Sequence, residues 1–348
     1  MGKLKVFEAF AGVGAQRMAL RNIGVDFEVV GISEIDKFAI KSYEAIHGEC
    51  SNYGDISKIN PKNLPNIDLF TYSFPCQDLS IAGKKEGLKE GTRSGLLYEC
   101  EKIIEAKKPK YLLLENVKNL VGKKFKNDFN KWLDYLEGLG YTNYWKVLNA
   151  KDYGVPQNRE RVFVVSVLGE HKPYTFPQPI KLNKAIKDIL EDTVGEKYYM
   201  NKPFKLVDKG NIKAEFTNIN FEQDKRIYGT DSYSQCLLAK SRGTNNILIS
   251  AYLTDFRYKQ TSQVLNKEGI SATLDTMQGG HREPKILEEY RVRKLTPLEC
   301  WRLMSFTDED FFKAKNAGIS NSQLYKQAGN SIVVLVLEHI FKELLLNE

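Results

Sequence analysis

Residues 4–14 read Leu-Lys-Val-Phe-Glu-Ala-Phe-Ala-Gly-Val-Gly, an apolar run that ends in a glycine turn. The run predicts a β-strand over residues 4–10, and residues 15–22 have a helical pattern. A second apolar strand is expected over residues 27–33, followed by a helical stretch that ends near residue 47. A strand, a turn, a helix and a second strand in this order indicate an α/β fold.

The alternation of strands and helices continues through the first half of the chain. Further strands are expected at residues 67–72, 111–115, 143–149 and 162–168. The intervening helices are expected at residues 95–107 and 125–139. We therefore predict the α/β class, with a mostly parallel, doubly wound, Rossmann-like sheet whose right-handed crossovers place helices on both faces.

The pattern changes after about residue 172. Residues 173–286 are polar and turn-rich, which predicts irregular β structure, and they hold 17 Lys and Arg against 13 Asp and Glu. Helical patterns return after Thr296, where Pro297 and Glu299 are typical of a helix start, and again at about residues 331–346.

We therefore expect a single unit over residues 4–345. Within it, residues 1–172 form a first lobe and residues 173–286 form a smaller inserted lobe. Residues 287–348 are a return segment whose last helix completes the first lobe.

Composition limits the class of protein. The chain has 348 residues, a formal net charge of +7 and a pI near 8.9, a balance that suits a nucleic-acid partner. No apolar run is long enough to cross a bilayer and the N-terminus lacks a signal-peptide core, so we expect a cytoplasmic protein with no membrane partner. The five cysteines lack Cys-x-x-Cys spacing and the four histidines are isolated, which argues against disulfides and against a metal site.

The glycine turn after the first strand is a candidate nucleotide-binding turn. It contains Gly12 and Gly14 but lacks the third glycine of G-x-G-x-x-G, and such a turn is often only a tight bend. Glu34 strengthens the functional interpretation, because it follows the next strand, 20 residues beyond Gly14. A carboxylate there binds ribose hydroxyls in nucleoside-binding sheets, and a solvated helix start is the alternative.

Cys76 is the candidate nucleophile. It follows the strand at 67–72 through Ser-Phe-Pro, and because proline cannot continue a strand ladder, Cys76 is expected at the carboxyl end of that strand. Open α/β sheets bind their ligands at this edge. A cysteine is more often a small buried apolar residue, but Cys76 opens a polar loop with glycines at 83, 87 and 91, which favours chemistry.

The segment Pro75-Cys76-Gln77 resembles the Pro-Cys-Gln signature of the cytosine-5 DNA methyltransferases. Residues 3–20 and 71–80 look most like bacterial, mollicute CpG enzymes of this family, and the resemblance extends over most of the chain. It implies a sheet of the S-adenosylmethionine-dependent methyltransferase type, with catalysis and cofactor binding in the first lobe. The β-rich inserted lobe would then recognise the target.

The resemblance implies S-adenosylmethionine as the cofactor. Phe10 would stack on the adenine, Glu34 would hold the ribose and Asp55 would contact the adenine amino group. Asn330 would close the pocket, although an asparagine at a helix start is more often a cap. The complete set of expected cofactor-binding residues is Phe10, Gly12, Gly14, Glu34, Asp55, Pro75, Leu96 and Asn330.

Covalent catalysis follows from the resemblance, because C5 of cytosine is a poor nucleophile. The Cys76 thiolate would add to C6, which makes C5 able to attack a methyl group. Glu115, in Glu115-Asn-Val, would protonate N3, and burial would raise its pKa; capping of the next helix is its alternative role. Arg159 and Arg161 are the candidates for favouring the thiolate.

The substrate implied is duplex DNA, from which the target cytosine must be flipped. The loop from Gln77 to about Ser94 could close over the flipped base. In the major groove, Arg and Lys pair with guanine and Gln pairs with adenine. The alternative for each candidate DNA contact is an exposed loop residue without a role in binding. The candidate DNA contacts are Gln77, Ser80, Lys84, Lys240, Arg242, Gln278 and Arg282.

Three other functions would explain some of these features. A zinc nucleobase deaminase needs His-x-Glu and Pro-Cys-x-x-Cys, and neither occurs. A non-catalytic DNA-binding protein would explain the charge but not Cys76, Glu115 and Glu34 together. A tRNA cytosine-5 methyltransferase with the same chemistry stays open. We expect a monomer, and the sequence does not reveal whether a cognate restriction endonuclease acts on the same site.

Overall fold

The computed structural model describes residues 2–75, 96–200, 204–206, 249–253, 262–277, 282–288 and 291–346. The strands of the first half are β1 (Leu4–Ala9), β2 (Phe27–Ser33), β3 (Leu69–Tyr72), β4 (Tyr111–Val117), β5 (Tyr141–Asn149), β6 (Gln157–Asn158) and β7 (Glu160–Leu168). Six of them form a sheet of order β2-β1-β3-β4-β7-β5.

The first sheet is parallel from β2 to β4 and antiparallel from β4 to β5. The predicted Rossmann-like α/β sheet is therefore confirmed. Its antiparallel edge was not expected. The antiparallel pairing arises because the connection from β5 to β7 is short. It holds only a turn and β6, and no crossover helix.

The helices are α1 (Ala15–Asn22), α2 (Lys37–His47), α3 (Leu97–Lys107), α4 (Lys126–Gly138), α5 (Pro297–Arg302), α6 (Asp308–Asn316), α7 (Asn321–Asn330) and α8 (Val334–Leu345). The two helices α6 and α7 were not predicted, and α8 begins three residues later than expected because Ser331 has an extended backbone. No helix in the described ranges is long and apolar enough to span a membrane.

Alternate side chains of the first sheet enter two apolar layers, as the two-residue period of a strand requires. Val6 and Leu113 belong to the layer that contains residues of α1 and α8. Phe7 and Leu112 belong to the layer that contains residues of α3 and α4. Helices therefore cover both faces of the sheet, which leaves the strand ends as the place for a site.

The later strands are β8 (Tyr199–Met200), β9 (Phe204–Leu206), β10 (Ile249–Leu253), β11 (Gln263–Leu265), β12 (Ser271–Ala272), β13 (Lys285–Glu288) and β14 (Arg291–Lys294). Among the described residues, six of these form a second sheet of order β8-β14-β13-β11-β10-β9. Its small apolar core is formed by Ala251, Leu253, Val264 and Val292.

Two contacts join the region of the second sheet to the first. Strand β12 pairs in parallel with β6, and Gln157 of β6 donates from Nε2 to the Leu303 carbonyl at 2.8 Å. Beside them, the predicted helix start at Thr296 is a capping box with Glu299. The Glu299 carboxylate also receives two hydrogen bonds, of 2.8 and 2.9 Å, from the fully buried Arg293.

Candidate active site

The turn between β1 and α1 has a left-handed backbone at three positions. The φ angles are 56° at Phe10, 57° at Gly12 and 80° at Gly14. A Cβ on Gly14 would lie 2.4 Å from Nε2 of His47, so Gly14 is required by the close approach of α2. A Cβ on Gly12 would meet nothing within 4 Å, so open space adjoins the turn at this point.

The Glu34 carboxylate is fixed between the ends of β1 and β2. Its Oε2 accepts a hydrogen bond from the Gly12 N–H at 2.8 Å, and its Oε1 accepts from the N–H groups of Ile35 and Asp36, each at 2.8 Å. An ionised carboxylate has about four acceptor positions. Three are occupied, so one position on Oε2 is available for a further donor.

Asp55 is placed near Glu34 by a short extended segment beside β2. Asn52 in this segment donates to the Glu34 carbonyl at 3.1 Å, and the hydroxyl of Ser33 donates to the Gly54 carbonyl at 2.6 Å. The hydroxyl and N–H of Ser57 donate to the Asp55 carboxylate and hold its pKa below the usual range. Two carboxylates therefore lie at the carboxyl edge of β2.

Ile35 is an exposed apolar residue beside Glu34 that the sequence did not single out. Its side chain is 73% exposed, directly after the fixed Glu34. An exposed apolar residue after a strand-terminal carboxylate is a signal that could have found it. It offers an apolar surface beside the open space of the turn.

Glu115 lies at the carboxyl half of β4 and is 8% exposed. Its Oε1 is 3.2 Å from Nε of Arg161 on the neighbouring strand β7. Burial raises the pKa of Glu115, as expected from its sequence context, and the charges of Arg161 and Arg159 oppose this shift only in part. The alternative role as a helix cap does not hold, because the turn that follows is capped by Val117 without a side-chain hydrogen bond.

Asn116 is a second residue that the sequence did not single out. It is buried, and its Nδ2 donates to the Phe74 carbonyl at 3.1 Å, while its Oδ1 accepts from the Val117 N–H at 2.9 Å. This contact fixes the segment after β3 against β4, beside Glu115. The sequence signal was its place directly after Glu115 in the segment Glu115-Asn-Val.

Arg159 is buried and makes structural contacts. Its terminal nitrogens donate to the carbonyls of Leu274 at 2.9 Å, Gly329 at 3.0 Å and Ser331 at 2.9 Å. These hydrogen bonds join Arg159, directly before β7, to the end of α7 and to the turn after β12. Arg161, in contrast, is directed to Glu115.

The described residues hold no group of three or more His, Cys, Asp or Glu side chains that could bind a metal ion. A model of the C-5 cytosine-specific DNA methylase family matches residues 4–346. The chain belongs to this family. The methyltransferase therefore transfers a methyl group from S-adenosylmethionine to C5 of cytosine in DNA.

Relatives support this membership along the whole chain. The type II methyltransferase M2.ScrFI of Lactococcus lactis subsp. cremoris is 41% identical, with 98% of this chain and 99% of that protein covered. The orphan methyltransferase M.SPBetaI of Bacillus phage SPbeta is 35% identical, with 99% and 98% covered.

Solved structures share the fold of the methyltransferase. The Dnmt2 methyltransferase of S. pombe has a TM-score of 0.68 at 18% identity, with 99% of each chain covered. A DNA modification methyltransferase encoded within an E. coli prophage has a TM-score of 0.66 at 22% identity, with 99% of this chain and all of that chain covered.

Most of the expected site residues that the structure describes lie at two adjoining places on the first sheet. Phe10, Gly12, Glu34 and Asp55 lie at the carboxyl ends of β1 and β2, and Pro75, Glu115 and Arg161 lie at the adjoining ends of β3, β4 and β7. Asn330 was expected at a helix start, but it is the exposed last residue of α7. Arg282 is exposed. Leu96 is half-buried, immediately before α3. The expected residues that lie outside the described residues are Cys76, Gln77, Ser80, Lys84, Lys240, Arg242 and Gln278.

Proposed function

We propose that the methyltransferase acts on a cytosine flipped out of duplex DNA, with Cys76 adding to C6 and Glu115 protonating N3. The observation that supports this most is a buried Glu115 carboxyl, whose pKa is raised, at the end of β4. Tyr72 of β3 pairs with Leu114 of β4, so the chain leaves β3 beside Glu115 and reaches Cys76 four residues later.

The chemistry of these two groups is complementary. When the Cys76 thiolate forms a bond to C6, the π pair of the C5–C6 double bond shifts to C4–C5 and the C4–N3 π pair shifts onto N3, which accepts the proton of Glu115. C5 then has enamine character and would form the bond to the methyl group as the methyl–sulfonium bond breaks, and N3 would return its proton to the Glu115 carboxylate. Loss of the C5 proton to a base, which is water in this proposal, expels the Cys76 thiolate and restores the aromatic ring.

The other described cysteines are poor nucleophiles. Cys100 and Cys300 are fully buried, and burial raises the pKa of both thiols well above the usual range. Burial also raises the pKa of Cys50. Because the thiolate is the reactive form of cysteine, these environments favour Cys76 as the nucleophile.

The cleft at β1 and β2 fits S-adenosylmethionine, which when bound supplies an electrophilic methyl group on a sulfonium. Glu34 has one acceptor position left for a ribose hydroxyl, and Asp55 would accept from the adenine amino group. Ile35 and Phe10 would provide apolar surface for the adenine ring. Gly12 would adjoin the ligand through the open space at its Cα. Gly14, Pro75 and Leu96 would complete the pocket, with Asn330 at its rim.

Arg159 and Arg161 would favour the Cys76 thiolate through their positive charge, and Arg161 also lies 3.2 Å from the Glu115 carboxylate. Residues 1–172 would bind the cofactor and carry out catalysis, and residues 287–348 would complete that lobe. Residues 173–286 would read the DNA sequence, with base or phosphate contacts from Lys240, Arg242, Gln278 and Arg282. Exchange of residues 173–286 with those of a relative should change the methylated sequence and leave 5-methylcytosine as the product.

The proposal extends to a monomeric enzyme of the bacterial or phage-infected cytoplasm, associated with the nucleoid through DNA. The names type II methyltransferase and orphan methyltransferase both occur among the relatives. The first supports a cognate restriction endonuclease acting on the same site, and the second supports an enzyme without one.

The test is a mechanism-based trap. A long duplex synthesised with 5-fluorocytosine in place of cytosine should form an adduct with the enzyme, because no proton remains at C5 to be removed after methyl transfer. The adduct should survive denaturing electrophoresis, require S-adenosylmethionine and map to the peptide containing Cys76. Cys76→Ser should abolish it with DNA binding retained, and Cys50→Ser should form it normally. An adduct on Cys50, Cys100, Cys236 or Cys300 would overturn the assignment.

A further inference from the structure

The start of α1 is a buried helix end without a side-chain cap. Its N-cap residue is Gly14, which has no side chain to accept a hydrogen bond, and the first turn contains no acidic residue. Ala15 and Gln16 are 2% and 3% exposed, and among the described residues nothing accepts a hydrogen bond from their N–H groups. Because the first N–H groups of a helix have no partner within it, this buried end requires an acceptor from elsewhere.

The side chain of Gln16 adds an unpaired donor at the same place. Within the described part of the chain, its amide forms no hydrogen bond, although the residue is 97% buried. Most buried amides in proteins are hydrogen-bonded, because removal from water without a partner costs free energy. Neither atom of this amide is fully enclosed by the described residues, so the side chain ends at an opening. A buried amide that faces an opening indicates contact with a ligand.

Helix geometry places this amide beside the glycine turn. Gln16 is the second residue of α1, and the Cα–Cβ bond of a helical residue is tilted toward the N-terminus of its helix. The N-terminus of α1 continues the turn that contains Gly12, where an added Cβ would meet nothing within 4 Å. The Gln16 amide and the free N–H groups therefore adjoin the same open space.

The donors at this end of α1 suit an anion. The aligned peptide dipoles of a helix place a partial positive charge at its N-terminus, and the Gln16 amide supplies two further N–H donors. The anionic group of S-adenosylmethionine is the carboxylate of its methionine moiety. With the ribose at Glu34 and the adenine at Asp55, both beside the end of β2, the methionine moiety would extend toward β1, which is the neighbour of β2 in the sheet.

We propose that Gln16 is a cofactor-binding residue whose side-chain amide donates a hydrogen bond to the methionine carboxylate of S-adenosylmethionine. This inference rests on the proposed function, because it uses Glu34 and Asp55 to locate the ribose and the adenine. The contact fixes the methionine end of the cofactor. It thereby fixes the sulfonium from which the methyl group is transferred.

The test compares two ligands that differ in the amino-acid group. S-adenosylhomocysteine has the carboxylate, 5′-methylthioadenosine lacks the whole amino-acid group, and the sulfur atom is uncharged in both. Gln16→Met keeps the length of the side chain and removes its donors. Measured by calorimetry, this variant should bind S-adenosylhomocysteine about 10- to 100-fold more weakly, because a hydrogen bond to a charged group is lost. Its affinity for 5′-methylthioadenosine should stay within about twofold of wild type, because that ligand has no group for Gln16 to bind.

The matched control is Gln323→Met. Gln323 lies in the first turn of α7, and its replacement should leave the affinity for both ligands unchanged. An equal loss of affinity for both ligands in Gln16→Met would show that Gln16 only supports the fold, and it would overturn the proposal. Unchanged affinity for S-adenosylhomocysteine in Gln16→Met would overturn it as well.

Glu34→Gln distinguishes a failure of this inference from a failure of the proposed function. Both ligands contain the ribose that Glu34 would hold, so this variant should bind both more weakly. If Glu34→Gln weakens both ligands and Gln16→Met weakens neither, the inference about Gln16 alone is wrong. If Glu34→Gln weakens neither, the cofactor does not bind at the ends of β1 and β2, and the proposed function is wrong at this point together with the inference.

Discussion

The side-chain amide of Asn116 donates a hydrogen bond of 3.1 Å to the backbone carbonyl of Phe74, and both side chains are buried. Asn116 follows Glu115 on β4, and Phe74 precedes Pro75 on the segment that leads into Cys76. One hydrogen bond therefore couples the strand that carries the proposed acid to the segment that carries the proposed nucleophile. The relative position of the two groups depends on it.

Asn116→Ala should lower the single-turnover methylation rate by about 10- to 100-fold, because a displacement of about 1 Å in a reacting group costs this much. The variant should also lose about 1–3 kcal/mol of unfolding free energy, because the buried Phe74 carbonyl is left without its donor. Asn143→Ala is the matched control: its amide donates to the Leu133 carbonyl at 3.0 Å, away from the site. A similar decrease in rate in both variants would contradict the positioning role.

Glu115→Gln should lower methylation by on the order of 100-fold or more and leave the affinity for S-adenosylmethionine unchanged, because it removes the acid at N3. The pH profile is a second readout. Burial raises the pKa of Glu115, so the wild-type rate should fall as rising pH removes its proton, and this limb should be absent in the variant. The profile is measured by rapid-quench methyl transfer, and Glu105→Gln, on α3, serves as control. Near-wild-type turnover of Glu115→Gln would exclude the assigned role.

The parts of the fold that could be predicted are those that local sequence determines. The strand, glycine turn and helix over residues 4–22 follow from periodicity, and Glu34 follows from its spacing to Gly14. Arg159 could not be interpreted in this way, because its carbonyl partners lie 115 to 172 residues further along the chain. The helix α6 has three acidic residues in its first turn and few buried side chains, so its apolar period is weak.

The junction at Gly329 gives a stability prediction. A Cβ at this position would lie 1.8 Å from the Asp275 carbonyl oxygen, a backbone atom that cannot move without separating α7 from the turn after β12. Gly329→Ala should therefore cost at least about 2 kcal/mol of unfolding free energy, as overpacking does. It should also lower methylation, since Arg159 bonds the Gly329 carbonyl.

Gly138→Ala is the control for that substitution. Gly138 ends α4, has no positive φ, and has nothing within 4 Å of the added Cβ, so its replacement should stabilise the helix by up to about 1 kcal/mol. The unfolding free energies of the two variants are to be measured by urea denaturation at the same pH. Equal effects of the two alanines would show that α7 can move away from Asp275 without cost.

The last prediction concerns the pH dependence of stability. Glu8 on β1 is fully buried, and its Oε2 accepts from the Tyr43 hydroxyl at 2.6 Å. Burial raises the pKa of Glu8 to about 7 from 4.5. Between these two values the folded state binds the proton and the unfolded state does not, so folding stability falls as pH rises through this window. The total loss is about 3 kcal/mol, at about 1.4 kcal/mol per pKa unit.

Glu8→Gln cannot ionise, so its stability relative to wild type should rise by about 3 kcal/mol between pH 4 and pH 8. In addition, Glu8→Gln should lose a constant amount of unfolding free energy at every pH. The reason is that Oε1 of Glu8 has no hydrogen-bond partner among the described residues, so the amide group of Gln gains none there. His47 acts in the opposite direction, since burial lowers its pKa to about 3, but it is present in both proteins and cancels in the difference. Glu28→Gln, which replaces an exposed carboxyl on β2, is the matched control. The unfolding free energies of Glu8→Gln and the wild type are compared by urea denaturation between pH 4 and pH 8. A difference that does not change with pH would mean that Glu8 is already ionised in the folded protein at pH 5.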